Sequence, residues 1–120
     1  MSGKENILIV DDEGMIVDLL RDILEAENYE VYSASSGSEA CAQLKKINPD
    51  IVLLDLELPE VSGIEILKII QKEHKRCRVI VISGHFKNEL QQSGLLHPWI
   101  QFLQKPFTAE NVLSAIQQKT

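Results

Sequence analysis

Three carboxylates, one hydroxyl and one ammonium group follow short apolar segments at four separate places in the chain: they belong to Asp11, Asp12, Asp55, Ser83 and Lys105. Brought together, the three aspartates would repel one another, and at least one of their pKa values should rise without a cation. Oxygen ligands without histidine or cysteine favour Mg²⁺ over zinc or copper. Three carboxylates, one Mg²⁺ and one lysine sum to zero charge, so the metal and the lysine could offset the negative charge that a carboxylate gains as an acyl phosphate. This combination is typical of phosphoryl transfer, in which positioning and charge neutralisation supply most of the catalysis.

The segments that carry these residues predict strands. Ile7–Val10, Ile51–Leu54 and Val79–Ile82 are continuous apolar runs bounded by polar residues or glycine, a pattern typical of strands buried on both faces. Two weaker strands are predicted at Tyr29–Ala34 and Trp99–Leu103.

Helical periodicity fills the intervals between the predicted strands. The first helix has an apolar stripe with i, i+3, i+4, i+7 spacing, made of Ile16, Leu19, Leu20, Ile23 and Leu24. Ser36 followed by Glu39 predicts a capping box, and Asn48-Pro49 ends that second helix. A third helix opens at Gly63, and Thr108 is the expected N-cap of the last. Between them, the segment 86–98 predicts a short helix to about Gln92.

Strand and helix therefore alternate five times, which predicts an α/β fold: a five-stranded parallel sheet, doubly wound as (βα)5, with helices on both faces. In such sheets, ligand sites lie beyond the carboxyl ends of the strands. The five reactive residues are expected to converge at that edge.

Composition limits the class of protein. A chain of 120 residues is expected to form one domain over residues 1–120, and its net charge of −6 argues against direct nucleic-acid binding. No apolar stretch approaches the ~18 residues of a membrane helix, so membrane insertion is not expected. Cys41 and Cys77 stand alone without zinc-ligand spacing, as in a reducing compartment. The sequence predicts a cytoplasmic domain.

Four motifs in order relate the chain to a known family: Ile7–Glu13, Pro49–Pro59 with Gly63, Val79–Gly84 and Lys105–Phe107. With them the chain resembles the receiver domain of two-component response regulators, which has the flavodoxin-like fold of the single-domain chemotaxis regulators. The resemblance runs from about Asn6 to Gln118.

The resemblance implies a role for each matching residue. Asp55 is the phosphoacceptor, which attacks the phosphohistidine of a sensor histidine kinase or phosphotransfer protein. Asp11 and Asp12 hold Mg²⁺ directly or through water, together with Asp55 and the backbone carbonyl of Glu57. Ser83 supplies the hydroxyl that turns to the phosphoryl group.

The resemblance also implies how the signal leaves the site. Lys105 pairs with the acceptor or its phosphate, and a cis bond joins it to Pro106. Phe102 is the aromatic switch residue. The last two helices and the strand between them form the output face for a downstream effector protein or domain. The chain is expected either to act alone or to come from a longer protein.

Some positions depart from the commonest family pattern. The Glu57 carboxylate could add a metal contact, steer a hydrolytic water, or be a solvated loop acid. Ser83 replaces threonine, and Phe102 replaces a tyrosine whose hydroxyl a partner could bind. Gly94 and the stretch 97–99 put the usual dimer face in doubt. His74, His85 and His97 are expected to be solvated, with His85 a candidate for modulating dephosphorylation.

Two alternatives remain open at this point. One is a small Mg²⁺-dependent phosphohydrolase, with Asp55 as nucleophile and Glu57 as the second acid. The other is a pseudo-receiver that binds partners without phosphorylation. The favoured interpretation is a signalling domain rather than an enzyme, with at most self-phosphorylation from small donors and autodephosphorylation.

Overall fold

The computed structural model describes residues 5–58, 62–73, 76–84 and 100–117. Outside these ranges lie the predicted helix to Gln92, the histidines His74, His85 and His97, and Trp99, the first residue of the predicted fifth strand. All five predicted strands are represented within them.

The strands form one parallel sheet in the order β2-β1-β3-β4-β5, which confirms the predicted fold class. They are β1 (Asn6–Val10), β2 (Glu30–Ala34), β3 (Ile51–Asp55), β4 (Arg78–Ser83) and β5 (Gln101–Gln104). Strand order reverses next to β1, so β1 and β3 are neighbours although β2 lies between them in the chain. The crevice beyond β1 and β3 is where such sheets bind ligands.

Helices cover both faces of the sheet. The helices of the described residues are α1 (Gly14–Glu25), α2 (Gly37–Ile47), α3 (Gly63–Glu73) and α4 (Ala109–Gln117). The first and last pack on one face through Leu20, Leu24, Val112 and Ile116. The other two pack on the opposite face through Ala40, Leu44, Ile66, Leu67 and Ile70. Alternate residues of β1 enter the two cores, as expected of a strand buried on both sides.

One residue of the predicted stripe on α1 does not face the core. Leu19 is 46% exposed and Met15 86% exposed, whereas Leu20 and Leu24 are completely buried. With about 100° of rotation per residue, Leu19 lies roughly 120° from the midpoint between the two buried leucines. The apolar stripe predicted for α1 is therefore wider than the buried face of the helix, and Leu19 lies outside that face.

The predicted helix starts are confirmed. Ser36 Oγ accepts a hydrogen bond from the Glu39 backbone N–H at 3.2 Å, although the Glu39 carboxylate reaches the N–H of Ser35 rather than that of Ser36. Thr108 and Asn111 cap α4 reciprocally, each side chain accepting from the backbone N–H of the other. Such caps satisfy backbone donors that a helix leaves without partners.

Arg78 secures the far end of α4 to the sheet. Its guanidinium donates to the backbone carbonyls of Ile116 at 2.9 Å and Ala115 at 3.1 Å, and to the Gln101 side chain at 2.6 Å. Gln101 in turn donates to the Ala115 carbonyl at 2.8 Å. The carbonyls in the last turn of a helix have no intrahelical donors. In α4, side chains from β4 and β5 donate to two of these carbonyls.

Gly63 fixes the loop that follows β3. A Cβ atom at this position would lie 2.4 Å from Leu56 Cα and 2.6 Å from the carbonyl oxygen of Asp55. We expect Gly63→Ala to lower the free energy of unfolding by about 1–3 kcal/mol, because the β3–α3 loop must move to make room. Urea denaturation measures this loss.

Gly14→Ala is the matched control. Gly14 is the first residue of α1, and a Cβ there would meet nothing within 4 Å. Alanine should be neutral or slightly stabilising at this position. Equal stability of the two variants would contradict the steric role of Gly63.

Candidate functional site

Three aspartates meet at the carboxyl edge of the sheet. Asp55 is the last residue of β3, and Asp11 directly follows β1, its neighbour in the sheet. One carboxylate oxygen from each of Asp11, Asp12 and Asp55 lies within 4.8 Å of the other two. Asp11 and Asp55 are buried, whereas Asp12 is exposed. The convergence expected from the strand ends is present.

Backbone N–H groups orient the two buried carboxylates. Asp11 Oδ1 accepts from the N–H of Glu13, and Asp55 Oδ1 accepts from the N–H of Glu57, each at 2.9 Å. Asp55 Oδ2 accepts from Lys105 Nζ at 3.3 Å. Among the described residues, buried Asp11 Oδ2 has no hydrogen-bond partner, although Lys105 Nζ lies 3.8 Å away. The cluster therefore contains one buried oxygen whose hydrogen-bonding capacity these residues leave unused.

Burial raises the pKa of Asp11 to about 6, and the charges of Asp55 and Glu13 act in the same direction. The N–H of Glu13 and the ammonium of Lys105 oppose this rise. The expectation that at least one aspartate of the cluster has a raised pKa is thereby supported. At neutral pH the buried Asp11 carboxylate is charged, and that charge destabilises the folded state.

Lys105 bridges several acids at this edge. Its Nζ lies 2.9 Å from Glu13 Oε1, in addition to its contacts with Asp55 and Asp11. Although burial opposes the charged form, the Glu13 hydrogen bond and the charges of Asp11 and Asp55 raise the Lys105 pKa above its ordinary value. The Lys105–Pro106 peptide bond is cis, as the resemblance implied. Glu13 is a lysine partner that sequence reasoning missed.

The Ser83 hydroxyl contacts Glu57. Ser83 is the last residue of β4 and is fully buried, and its Oγ donates to Glu57 Oε1 at 3.1 Å. Glu57 itself is exposed. Its carboxylate is not among the clustered acids that the described part of the chain brings together. The structure therefore places this side chain on the hydroxyl.

Phe102 lies on β5 opposite Val81 and is half-buried against the core that α2 and α3 share. It lines, with Lys105 and Ala115 among others, an open cavity of about 490 Å³ beside α4. The site and this cavity therefore share Lys105. The switch role of Phe102 stays a prediction.

The residues present fit a hard divalent cation. The three clustered groups offer only oxygen ligands, which Mg²⁺ prefers. Asp11 Oδ2 is buried and accepts no hydrogen bond from a described residue, as a metal ligand would.

A doubly wound parallel sheet with this acidic edge, and with Ser83 and Lys105 beside the central aspartate, defines a flavodoxin-like receiver domain. The family model described as response regulator receiver domain matches residues 7–117, and the chain belongs to this family. Receiver domains of this kind act in two-component systems with histidine kinases and effector domains, and they are signalling domains rather than classical enzymes.

Relatives and solved structures agree with this assignment. The chain is 32% identical to sporulation initiation phosphotransferase F of Bacillus subtilis over 96% of its own length and 93% of the relative's. It is 33% identical to chemotaxis protein CheY of Thermotoga maritima, covering 97% of each chain. The crystal structure of chemotaxis protein CheY4 of Vibrio cholerae superposes with a TM-score of 0.85 at 28% identity, over 96% of this chain and 98% of that one.

Other relatives are much longer. The chain spans 24% of the nitrogen assimilation regulatory protein NtrX of Azorhizobium caulinodans and 48% of the transcriptional regulatory protein ResD of Bacillus subtilis. The similarity to these regulators therefore covers less than half of their lengths. Within the described residues, no helix is both long and apolar enough to cross a membrane.

Proposed function

We propose that this chain is a phosphorylation-activated switch of a two-component phosphorelay, in which Asp55 accepts a phosphoryl group. The observation that carries the proposal is the environment of the Asp55 carboxylate. It lies beside Asp11 and Asp12, the candidate metal ligands, and 3.3 Å from the ammonium of Lys105. A carboxylate held between these groups can act as a nucleophile, because the positive charge that would stabilise its phosphorylated form is positioned before the reaction.

The proposed donor is a phosphohistidine on a histidine kinase or phosphotransfer protein. A carboxylate oxygen of Asp55 forms the new bond to phosphorus as the bond from phosphorus to the histidine nitrogen breaks. The imidazole leaves with that electron pair, and the charge at position 55 changes from −1 to about −2. Asp11, Asp12, Asp55 and the Glu57 carbonyl would hold Mg²⁺, which when bound supplies positive charge to the phosphoryl oxygens.

The residues around Asp55 then carry the change outward. In our proposal the Ser83 hydroxyl and the Lys105 ammonium bind phosphoryl oxygens, and Phe102 repacks beside them. Lys105 and Phe102 both line the cavity next to α4. We propose that a change at either residue is passed to that helix. The output face around α4 would then bind a downstream effector.

A groove next to the site suits the protein that delivers the phosphoryl group. It has a volume of about 400 Å³ and a mainly apolar lining that includes Ile16, Leu19 and Phe107, together with Lys105. The neighbouring Met15 is 86% exposed. We propose that the donor protein packs here, because its histidine must reach Asp55.

We further propose that residues 1–120 form one receiver domain in the cytoplasm that inserts in no membrane and, with net charge −6, makes no direct contact with nucleic acid.

Intact mass after incubation with a small phosphodonor such as acetyl phosphate tests the function. One phosphoryl increment that requires Mg²⁺ is the expected result. Continuous release of many equivalents of phosphate per protein would instead indicate a phosphohydrolase. If the protein neither gains a phosphoryl increment nor releases phosphate, the remaining interpretation is a pseudo-receiver.

Mg²⁺ affinity should depend on pH through Asp11. Because the Asp11 pKa is raised to about 6, a proton competes with the metal below that value. We expect affinity to be nearly constant above pH 7 and to fall by up to about tenfold per pH unit below pH 6. Calorimetric titration with MgCl₂ between pH 5 and 8 measures this. An affinity that is flat from pH 7 down to pH 5 would show that Asp11 does not bind the metal.

A further inference from the structure

The hydroxyl proposed to bind the phosphoryl group already has an anionic partner. Ser83 Oγ donates to Glu57 Oε1 at 3.1 Å; Ser83 ends β4, Glu57 lies in the loop after β3, and the two residues are 26 positions apart in the chain. Ser83 is completely buried at the end of β4, so its hydroxyl depends on protein acceptors.

The position of Glu57 is fixed by its main chain rather than by its exposed carboxylate. Its N–H donates to Asp55 Oδ1 at 2.9 Å. The residues on either side, Leu56 and Leu58, are buried at 3% and 9% exposure. Gly63 closes on the same loop, since its N–H donates to the Leu56 carbonyl. One short loop thus supports the acceptor carboxylate and places a second carboxylate against Ser83.

These contacts create a competition. A serine hydroxyl has a single proton and donates one strong hydrogen bond at a time. A phosphoryl group on Asp55 introduces three further acceptor oxygens. Ser83 can donate to one of them only after it leaves Glu57. The released Glu57 carboxylate is exposed, so water can solvate it.

We propose that Glu57 is a positioning residue that holds the Ser83 hydroxyl in the unphosphorylated state and competes with the phosphoryl group for it. The inference rests on the proposed function and adds its regulation. Glu57 also carries a negative charge near the acceptor, and this charge repels a phosphoryl group whether or not Ser83 is present. Only the competition requires the hydroxyl, so the two effects can be separated.

The test is a double-mutant cycle on binding of beryllofluoride, a stable phosphoryl analogue, in the presence of Mg²⁺. Its dissociation constant is measured by calorimetry for the wild type, Glu57→Ala, Ser83→Ala and the double variant. We expect Glu57→Ala to tighten binding by about threefold to tenfold, the value of one hydrogen bond. In the Ser83→Ala background the same substitution should have a smaller effect, since only charge repulsion remains.

Two further variants sharpen the cycle. Glu57→Gln keeps a side-chain oxygen that can accept from Ser83 but removes the charge, so it should tighten binding less than Glu57→Ala. Glu27→Ala removes an exposed acid beyond the far end of α1 and should leave binding unchanged.

The outcomes distinguish the inference from the proposed function. If the wild type binds beryllofluoride and Glu57→Ala changes the dissociation constant equally with and without Ser83, the competition is overturned and only a charge effect remains. A wild-type chain that binds no beryllofluoride would overturn the proposed function, and the inference with it. A larger effect of Glu57→Ala when Ser83 is present supports both.

Discussion

Asp55→Asn is expected to abolish phosphoryl acceptance, so that the intact mass stays constant under conditions in which the wild type gains one phosphoryl group. Asparagine has nearly the same shape, and its side-chain oxygen can still accept from the Glu57 N–H. It lacks the negative charge and the nucleophilic carboxylate oxygen. The variant should therefore fold while losing the whole reaction, which makes this the largest functional effect expected in the chain.

Asp18→Asn is the matched control. Asp18 is exposed on α1 and carries the same charge, so its variant should gain the increment at the wild-type rate. Limited proteolysis followed by mass analysis would also locate the modification in wild type. A full phosphoryl increment on Asp55→Asn would show that another residue is the acceptor.

Asp11→Asn is expected to stabilise the metal-free domain. The Asp11 pKa rises from 3.8 to about 6 on folding, so the folded state binds the proton more tightly than the unfolded state. This contribution is fully present below pH 3.8 and is lost as pH rises through 6. At pH 7 the charged Asp11 therefore lowers the free energy of unfolding, by about 3 kcal/mol at 1.36 kcal/mol per pKa unit. Asparagine removes this penalty.

Urea denaturation at pH 7 and pH 4, with and without Mg²⁺, measures the effect. Without metal, the variant should exceed wild type by about 2–3 kcal/mol at pH 7 and by much less at pH 4. Mg²⁺ should stabilise wild type by mass action and should have little effect on Asp11→Asn. A variant less stable than wild type at pH 7 without metal would contradict the electrostatic account, and Asp18→Asn again controls for net charge.

Much of the site was predictable because strand ends can be located from apolar runs. Asp11, Asp55 and Ser83 each follow a continuous apolar segment, and parallel strands bring their carboxyl ends to one edge. The positions of these residues directly after parallel strands therefore suffice to predict that their side chains lie close together. The same reasoning explains why the capping residues Ser36 and Thr108 were found, since a cap depends on neighbours within a few residues.

Contacts of longer range were not predictable in the same way. Glu13 and Lys105 are 92 positions apart, and nothing in the local pattern distinguishes Glu13 from a solvated loop acid. Its only signal is its place directly after two aspartates at a strand end. Arg78 gave a similar weak signal as a charged residue at the start of an apolar strand. The exposure of Leu19 was not predictable for a different reason. The apolar stripe on α1 is wider than the face that the sheet buries, so a residue at the side of the stripe stays exposed.

The order of the strands divides the site into parts of unequal local stability. β3 is hydrogen-bonded to β1 on one side and β4 on the other, so the elements carrying Asp11, Asp55 and Ser83 are interior to the sheet. Lys105 instead follows β5, which has a neighbour on one side only within the described sheet. Edge elements open more readily than interior ones. Amide hydrogen exchange should therefore be slowest in β1 and β3 and faster around β5, so the lysine can withdraw while the aspartates keep their positions.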